Sequence, residues 1–336
     1  MRFARDGPIC LNIGMLKGAL IGFNKDAPGA LPALLAAVKG LEIRAVCEKD
    51  PALLAAAAGP LPGAALYGST GDLFSKSGGL DFVFVRGAAD ERFGTALRAL
   101  ENRLHVICET PFCSSTPEFE KLRETAAGNA RVLSALQPWE RSAHWLALKR
   151  TLDGGLLGGV THAEVQFFLP GPCPDGGVTA AAGWKAFAML LAAVRLPPLA
   201  LSARLPPAPE PGAARADGAA AFQVHFGGAD GAVYLSSGAH SARFRLAASG
   251  EKGRAEIDGD LLRLDVKGLP PETIKLASSL SAADRPEWLG EELTDFVREI
   301  EGEIPAAAGL RNSRYCVKLL KNAYYSASLR SSAVPL

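Results

Sequence analysis

The chain has 336 residues, 36 Lys and Arg against 35 Asp and Glu, a formal charge of +1 and 48% apolar residues. This composition excludes wholesale disorder. It leaves no basic surplus for neutralising phosphates, so neither nucleic acid nor an anionic membrane is an expected partner. Small molecules or further copies of the chain remain, and the length suggests roughly two domains.

Six cysteines (Cys10, Cys47, Cys108, Cys113, Cys173 and Cys316) are scattered without zinc or redox spacing. They read as thiols of a reducing cytoplasm. The most apolar stretch, Ala180 to Val194, carries Lys185 in its middle, so no membrane span is expected. Residues 1–17 read as an arm, expected to be disordered, with Met15 a candidate start. Asp6, Pro8 and Lys17 break any signal-peptide run.

Residues 18–136 alternate short apolar runs with helical stretches. Gly18–Phe23 reads as a strand, about Pro28–Val38 as a helix and Glu42–Cys47 as a strand, with Asp50-Pro51 opening the next helix. Asp81–Val85 is a strand, Glu91–Asn102 a helix, His105–Cys108 a strand, Pro117–Ala127 a helix and Arg131–Leu136 a strand. Strands apolar on both faces and alternating with helices specify a parallel sheet covered on both sides, a doubly wound α/β domain.

Residues 137–336 read differently. After a helix near Ala143–Leu152, alternating segments run at Ala220–Phe226, Ala232–Ser237, Ala242–Ala247, Arg254–Ile257 and Leu261–Val266. Gly227–Gly231 reads as one turn and Asp258-Gly259 as a hairpin signal. The pattern predicts a mostly antiparallel sheet, with helices Trp184–Val194, Glu291–Ile300 and Asn312–Leu329 on one side of it. Leu205–Gly218, with four prolines, reads as an exposed, mobile loop.

Open parallel sheets bind ligands beyond the carboxyl ends of their strands, where the order reverses. The first such turn runs from Gly22 through Phe23, Asn24, Lys25 and Asp26 to Ala27. Gly22 and Ala27 fit a dinucleotide fingerprint, whereas Asn24 replaces its middle glycine and Asp26 adds a negative charge at a helix start. Glu48 ends the second strand, where a carboxylate holds a ribose hydroxyl and repels a 2′-phosphate. NAD is therefore favoured over NADP, the alternative being an exposed loop acid. Asp50 is assigned to capping.

Here the chain resembles the Gfo/Idh/MocA oxidoreductases, the relatives of glucose–fructose oxidoreductase and inositol dehydrogenase. The resemblance rests on ALIGF, AVCEKD, ALENRLHVICETPF (Ala99–Phe112), GLLGGV (Gly155–Val160) and RYCVKLLKNAYYSASLRSSAV (Arg314–Val334). It implies a Rossmann domain followed by an α/β domain on a large, mostly antiparallel sheet, and NAD(P)-linked hydride transfer on a sugar, polyol or related hydroxyl. It also implies a homo-oligomer through the second sheet.

Several family positions are altered. The family's E-K-P motif reads Glu109-Thr110-Pro111, its earlier Thr-Pro pair reads Gly87-Ala88, and its Asp and His four residues apart become Ala181 and Lys185. The implied cofactor residues are Gly22, Phe23, Asn24, Ala27, Glu48, Gly87, Ala88, Glu109 and Pro111. Thr110 and Lys185 are the candidate catalytic residues, and Arg92, Trp139, Arg141 and Trp184 the candidate substrate residues. No metal is expected.

Two readings stay open. In one, Lys185, desolvated by Trp184 and Phe187, acts as the base of a dehydrogenase. In the other, the chain keeps the fold as a ligand sensor or assembly subunit. Each residue also has a plainer role: Lys185 as a solvated helix lysine, Arg92 pairing with Asp90 or Glu91, Trp139 and Trp145 as core, Thr110 shaping its turn. His105 reads as structural.

Overall fold

The computed structural model describes residues 14–23, 38–173, 176–206, 217–277 and 286–336. Asn24, Asp26, Ala27, most of the expected Pro28–Val38 helix, most of the expected arm and the middle of the expected 205–218 loop lie outside them.

Two compact units emerge. The first is a six-stranded parallel sheet in the order β3-β2-β1-β4-β5-β6. Its strands are β1 (Leu16–Ile21), β2 (Leu41–Cys47), β3 (Ala65–Tyr67), β4 (Phe82–Val85), β5 (His105–Glu109) and β6 (Leu133–Leu136). Helices α1 (Pro51–Ala57), α2 (Thr70–Lys76), α3 (Ala89–Glu101) and α4 (Thr116–Gly128) connect them. β4 is buried at every position, as its unbroken apolar run requires. Asp50 caps α1, its Oδ1 accepting from the Ala52 and Leu53 amides at 2.8 and 3.2 Å. The short β3 and α2 were not read in the sequence, because three strand residues carry too little alternation to register.

The second unit is a nine-stranded mixed sheet, β14-β13-β12-β11-β7-β10-β9-β8-β15. Its strands are β7 (Val160–Pro170), β8 (Pro198–Arg204), β9 (Ala219–Phe226), β10 (Ala229–Ala239), β11 (Arg243–Gly250), β12 (Gly253–Asp258), β13 (Leu261–Val266), β14 (Glu272–Lys275) and β15 (Val334–Pro335). Only β10 against β7 is parallel. Helix α5 (Ala143–Asp153) precedes the sheet in sequence, and α6 (Gly177–Val194) and α8 (Ser313–Ser328) pack on it. Phe187 of α6 meets Phe222 of β9 edge-on at 5.1 Å. Ser326 of α8 accepts from the Ala203 amide at 2.9 Å. By length and composition α6 could cross a membrane, but its side chains are buried against β7, β9 and β10, which makes it a core helix.

Two expectations are corrected. The turn between β9 and β10 is Gly227-Gly228 alone, with Ala229 to Gly231 already in register opposite Phe226 to Val224. The helix expected over Glu291–Ile300, here α7 (Pro286–Ile300), packs on the parallel sheet of the first unit rather than on the mixed sheet. Its stripe of Leu289, Leu293, Phe296, Val297 and Ile300 joins the cluster of Leu20, Phe82 and Phe84. Phe296 meets Phe82 edge-on at 5.9 Å, and the Gln137 amide donates to Glu292 at 2.9 Å.

Phe296 is 1% exposed. Phe296→Ala is therefore expected to destabilise the protein by about 3–5 kcal/mol, read by urea denaturation; a loss below about 1 kcal/mol would show that α7 does not complete this core.

His105 accepts from the Val132 amide at 3.0 Å through Nδ1, and burial pulls its pKa down to about 4. A neutral histidine in the fold stabilises above the ordinary value near 6.5, and that stability is lost as pH falls toward 4. His105→Asn, which keeps an acceptor, is expected to flatten the pH dependence of the unfolding midpoint across that window.

Candidate functional site

The strand order reverses between β1 and β4, and their carboxyl ends are stitched by backbone. The amides of Arg86 and Gly87 both donate to the Ile21 carbonyl, at 2.8 and 3.4 Å, and the Gly22 amide donates to Cys47 at 2.9 Å. Gly22 has φ +85°, and a Cβ there would stand 2.3 Å from the Gly87 nitrogen. Only glycine combines that dihedral with that approach.

Above this junction opens a cleft lined by Ile21, Gly22, Cys47, Glu48, Lys49, Thr70, Val85, Gly87, Ala88, Glu91, Arg92 and Thr95. Glu48 stands at the end of β2. Its Oε2 accepts from the Phe23 amide at 2.8 Å and its Oε1 from the Asp50 amide at 3.1 Å. Each oxygen keeps a second lone pair, so the carboxylate is held still while able to accept from a hydroxyl. Lys49 pairs with Glu91 of α3. Burial and the adjacent Glu48 push the Cys47 thiol up to about 11, which removes thiolate chemistry from the cleft at neutral pH.

The far side is ordered by a carboxylate between two guanidiniums. Glu109, ending β5, accepts from Arg86 Nε at 2.6 Å and from Arg92 Nη2 at 3.0 Å. Arg92 also donates through Nε to the carbonyls of Gly87 and Arg86, at 2.9 and 3.2 Å, and through Nη1 to that of Pro111 at 3.1 Å. The Thr110–Pro111 bond is cis.

Of the expected cofactor residues, Gly22, Glu48, Gly87 and Ala88 line the cleft. Phe23 is buried and offers Glu48 its amide. Asn24 and Ala27 lie outside the described residues. Glu109 and Pro111 do not line the cleft, and both Glu109 oxygens are engaged by arginine. Arg92, a candidate substrate residue, lines the cleft, and its ionic partner is Glu109 rather than Asp90 or Glu91.

Thr110 belongs to the first unit, whereas Trp139, Arg141, Trp184 and Lys185 belong to the second. Trp139 is buried edge-on against Trp145 at 5.1 Å, which makes it core. Trp184 is buried in α6 and Arg141 half-buried. Lys185 is half-buried rather than solvated; its Nζ lies 5.2 Å from the centre of the Phe167 ring, and desolvation pulls its pKa down to about 8.

Sequence reasoning missed Lys49, Thr70, Glu91 and Thr95 in the cleft, and Arg86 beside it. Arg86 did carry a signal: like Glu48, it is a charged residue directly ending an apolar strand.

These residues fit a dinucleotide. A glycine with positive φ sits at the first turn, a fixed carboxylate ends β2, and side-chain-poor backbone floors the switch point. Residues 16–136 match the Gfo/Idh/MocA model, described as an oxidoreductase family with an NAD-binding Rossmann fold. The match covers the parallel-sheet domain and leaves the second unit outside it. D-apiose dehydrogenase of Rhizobium rhizogenes is 28% identical over 148 residues, 44% of this chain and 42% of that protein. The match thus spans less than half of that curated relative. An oxidoreductase from Agrobacterium radiobacter, solved with NAD+, L-tartaric acid and magnesium, superposes with TM-score 0.83 at 18% identity, covering 96% of this chain and 98% of that one. An inositol dehydrogenase homolog from Azotobacter vinelandii, solved with NADH and myo-inositol, gives 0.78 at 18%, over 96% and 98%. At such identities these two structures establish the shared fold.

Gly22→Ala is expected to cost at least about 1–2 kcal/mol from the dihedral alone and to abolish dinucleotide binding by pushing Gly87 away. Thermal unfolding together with NADH titration checks both, and an unchanged affinity would show that the junction does not floor the site.

Proposed function

We propose that this chain is an NAD-dependent oxidoreductase acting on a small polyhydroxylated substrate such as a sugar or polyol. The observation that carries the reading is Glu48, a carboxylate immobilised by two backbone amides at the end of β2 and lining the switch-point cleft. A fixed negative charge there accepts from vicinal ribose hydroxyls and repels a 2′-phosphate, which favours NAD over NADP. Bound nicotinamide supplies the hydride acceptor or donor.

The protein's own task in oxidation is to take the hydroxyl proton as the carbinol hydrogen departs as hydride. Thr110 has no charge and no useful acidity for it. Lys185, whose amine desolvation pulls toward neutrality, is the proposed base: Nζ takes the proton and becomes ammonium. A base must start neutral, so oxidation is expected to quicken as pH rises through about 8, a limb that Lys185→Met removes.

Calorimetry with NADH and NADPH tests the cofactor reading. NADH is expected to bind at least about tenfold more tightly, a difference near 1.4 kcal/mol, and Glu48→Gln to narrow the ratio. No binding of either at millimolar concentration would end the dehydrogenase reading.

A second reading, a relative that binds ligand without turnover, is favoured by Thr110 and Ala181 standing where the resemblance expects a lysine and an acid. Tight NADH binding without oxidation or reduction across a sugar and polyol panel would select it. A cytoplasmic location is part of the proposal, supported by five free cysteines among the described residues, four of them buried. So is a homo-oligomer through the second unit's sheet, which light scattering tests.

A further inference from the structure

The cations at the carboxyl ends of the first unit's strands are unequally neutralised. Lys49 is paired with Glu91. Arg92 has all three of its nitrogens committed, to Glu109 and to the carbonyls of Arg86, Gly87 and Pro111. Arg86 is different. Its Nε donates to Glu109 at 2.6 Å, and among the described residues its two terminal nitrogens make no hydrogen bond. Two guanidiniums share one carboxylate, so the cluster of Arg86, Arg92 and Glu109 carries a net charge of one positive unit.

Arg86 is also held in place. Its backbone amide is fixed to Ile21 at 2.8 Å, its Cζ lies 5.9 Å from the centre of the buried Phe84 ring, and its side chain is only 17% exposed. An apolar neighbour and partial burial strip water from the charge, which strengthens its pull on an anion. Its chain neighbours Val85, Gly87 and Ala88 line the cleft. In this strand order, β1–β3 and β4–β6 form two mononucleotide-binding halves. Arg86 stands at the ends of the second half, beside Thr110.

We propose that Arg86 is an anion subsite, its paired terminal nitrogens gripping a substrate carboxylate in bidentate fashion. The substrate class is accordingly a polyhydroxylated carboxylate, a sugar acid rather than a neutral sugar. The inference rests on the dehydrogenase reading only for placing the cofactor; the subsite is built from this chain's residues alone. Guanidinium geometry matches a planar carboxylate, and its charge persists at every working pH. Arg86 therefore binds and orients, and moves no proton.

The experiment measures dissociation constants for two matched pairs, D-gluconate against D-glucitol and D-erythronate against erythritol, on the full chain saturated with NADH. The acids are expected to bind at least about tenfold more tightly than their neutral partners. In Arg86→Gln that ratio falls to near one while NADH affinity changes by less than about threefold. Arg86→Lys, which keeps the charge without the fork, retains an intermediate ratio. Equal binding of acid and neutral partner by the wild type overturns the proposal, as does a preference that survives in Arg86→Gln. So does a uniform loss for both probes with a lowered melting temperature, the mark of a merely structural arginine. Should the wild type fail to bind NADH, the dehydrogenase reading falls separately, and the same titrations on the cofactor-free chain decide the subsite: gluconate binding that Arg86→Gln removes sustains it, and none refutes it.

Discussion

Two strand ends meet where neither chain brings a side chain. Gly22 and Gly87 approach so closely that a Cβ on the first would overlap the second's backbone, and the Ile21 carbonyl accepts from both Arg86 and Gly87. That contact makes the floor of the cleft out of backbone. A backbone floor lets a large ligand lie against the sheet, but it supplies little charge and no acid–base chemistry. The site's electrostatics must come from its margins: Glu48 and Lys49 on the β2 side, Arg86, Arg92 and Glu109 on the β4–β5 side. The geometry at one glycine thereby divides the site into a recognition edge and a charged far edge.

Much of this was legible residue by residue. Unbroken apolar runs such as FVFV named the parallel strands, and Glu48 declared itself as a charge ending such a run. What stayed hidden had physical causes. The stripe on α7 states that one face is buried, yet Leu293, Phe296 and Val297 would suit either sheet, so amphipathicity could not choose between them. Gly231 reads as turn chemistry, but it sits in β10 opposite Val224, where a Cβ would lie 2.8 Å from Leu190 of α6, a tertiary demand with no local trace. Arg92 has acids one and two residues before it and pairs with neither. Its true partner, Glu109, lies 17 residues on at the end of a neighbouring strand, a distance only the sheet's register closes.

The register of the sheet also explains why departures from the family that the chain resembles were readable as losses and not as rearrangements. Thr110 is visibly not a lysine in the sequence. That a guanidinium stands on the adjacent strand end, held to the carboxylate before Thr110, follows only from the parallel pairing of β4 with β5, which sets Val85 beside Cys108. One residue further on each strand, Arg86 and Glu109 are brought together. Substitution at one position and charge at another are thus linked through register, which a linear comparison of motifs does not register.

Arginine and lysine divide the possible work by their proton chemistry. A guanidinium binds by charge and by directed N–H donation and takes no part in proton transfer. Lys185 has its pKa drawn down to about 8 by desolvation, so near neutrality its amine exchanges protons over an accessible energy range. Burying such an amine in a packed helix has a cost that a methionine would avoid.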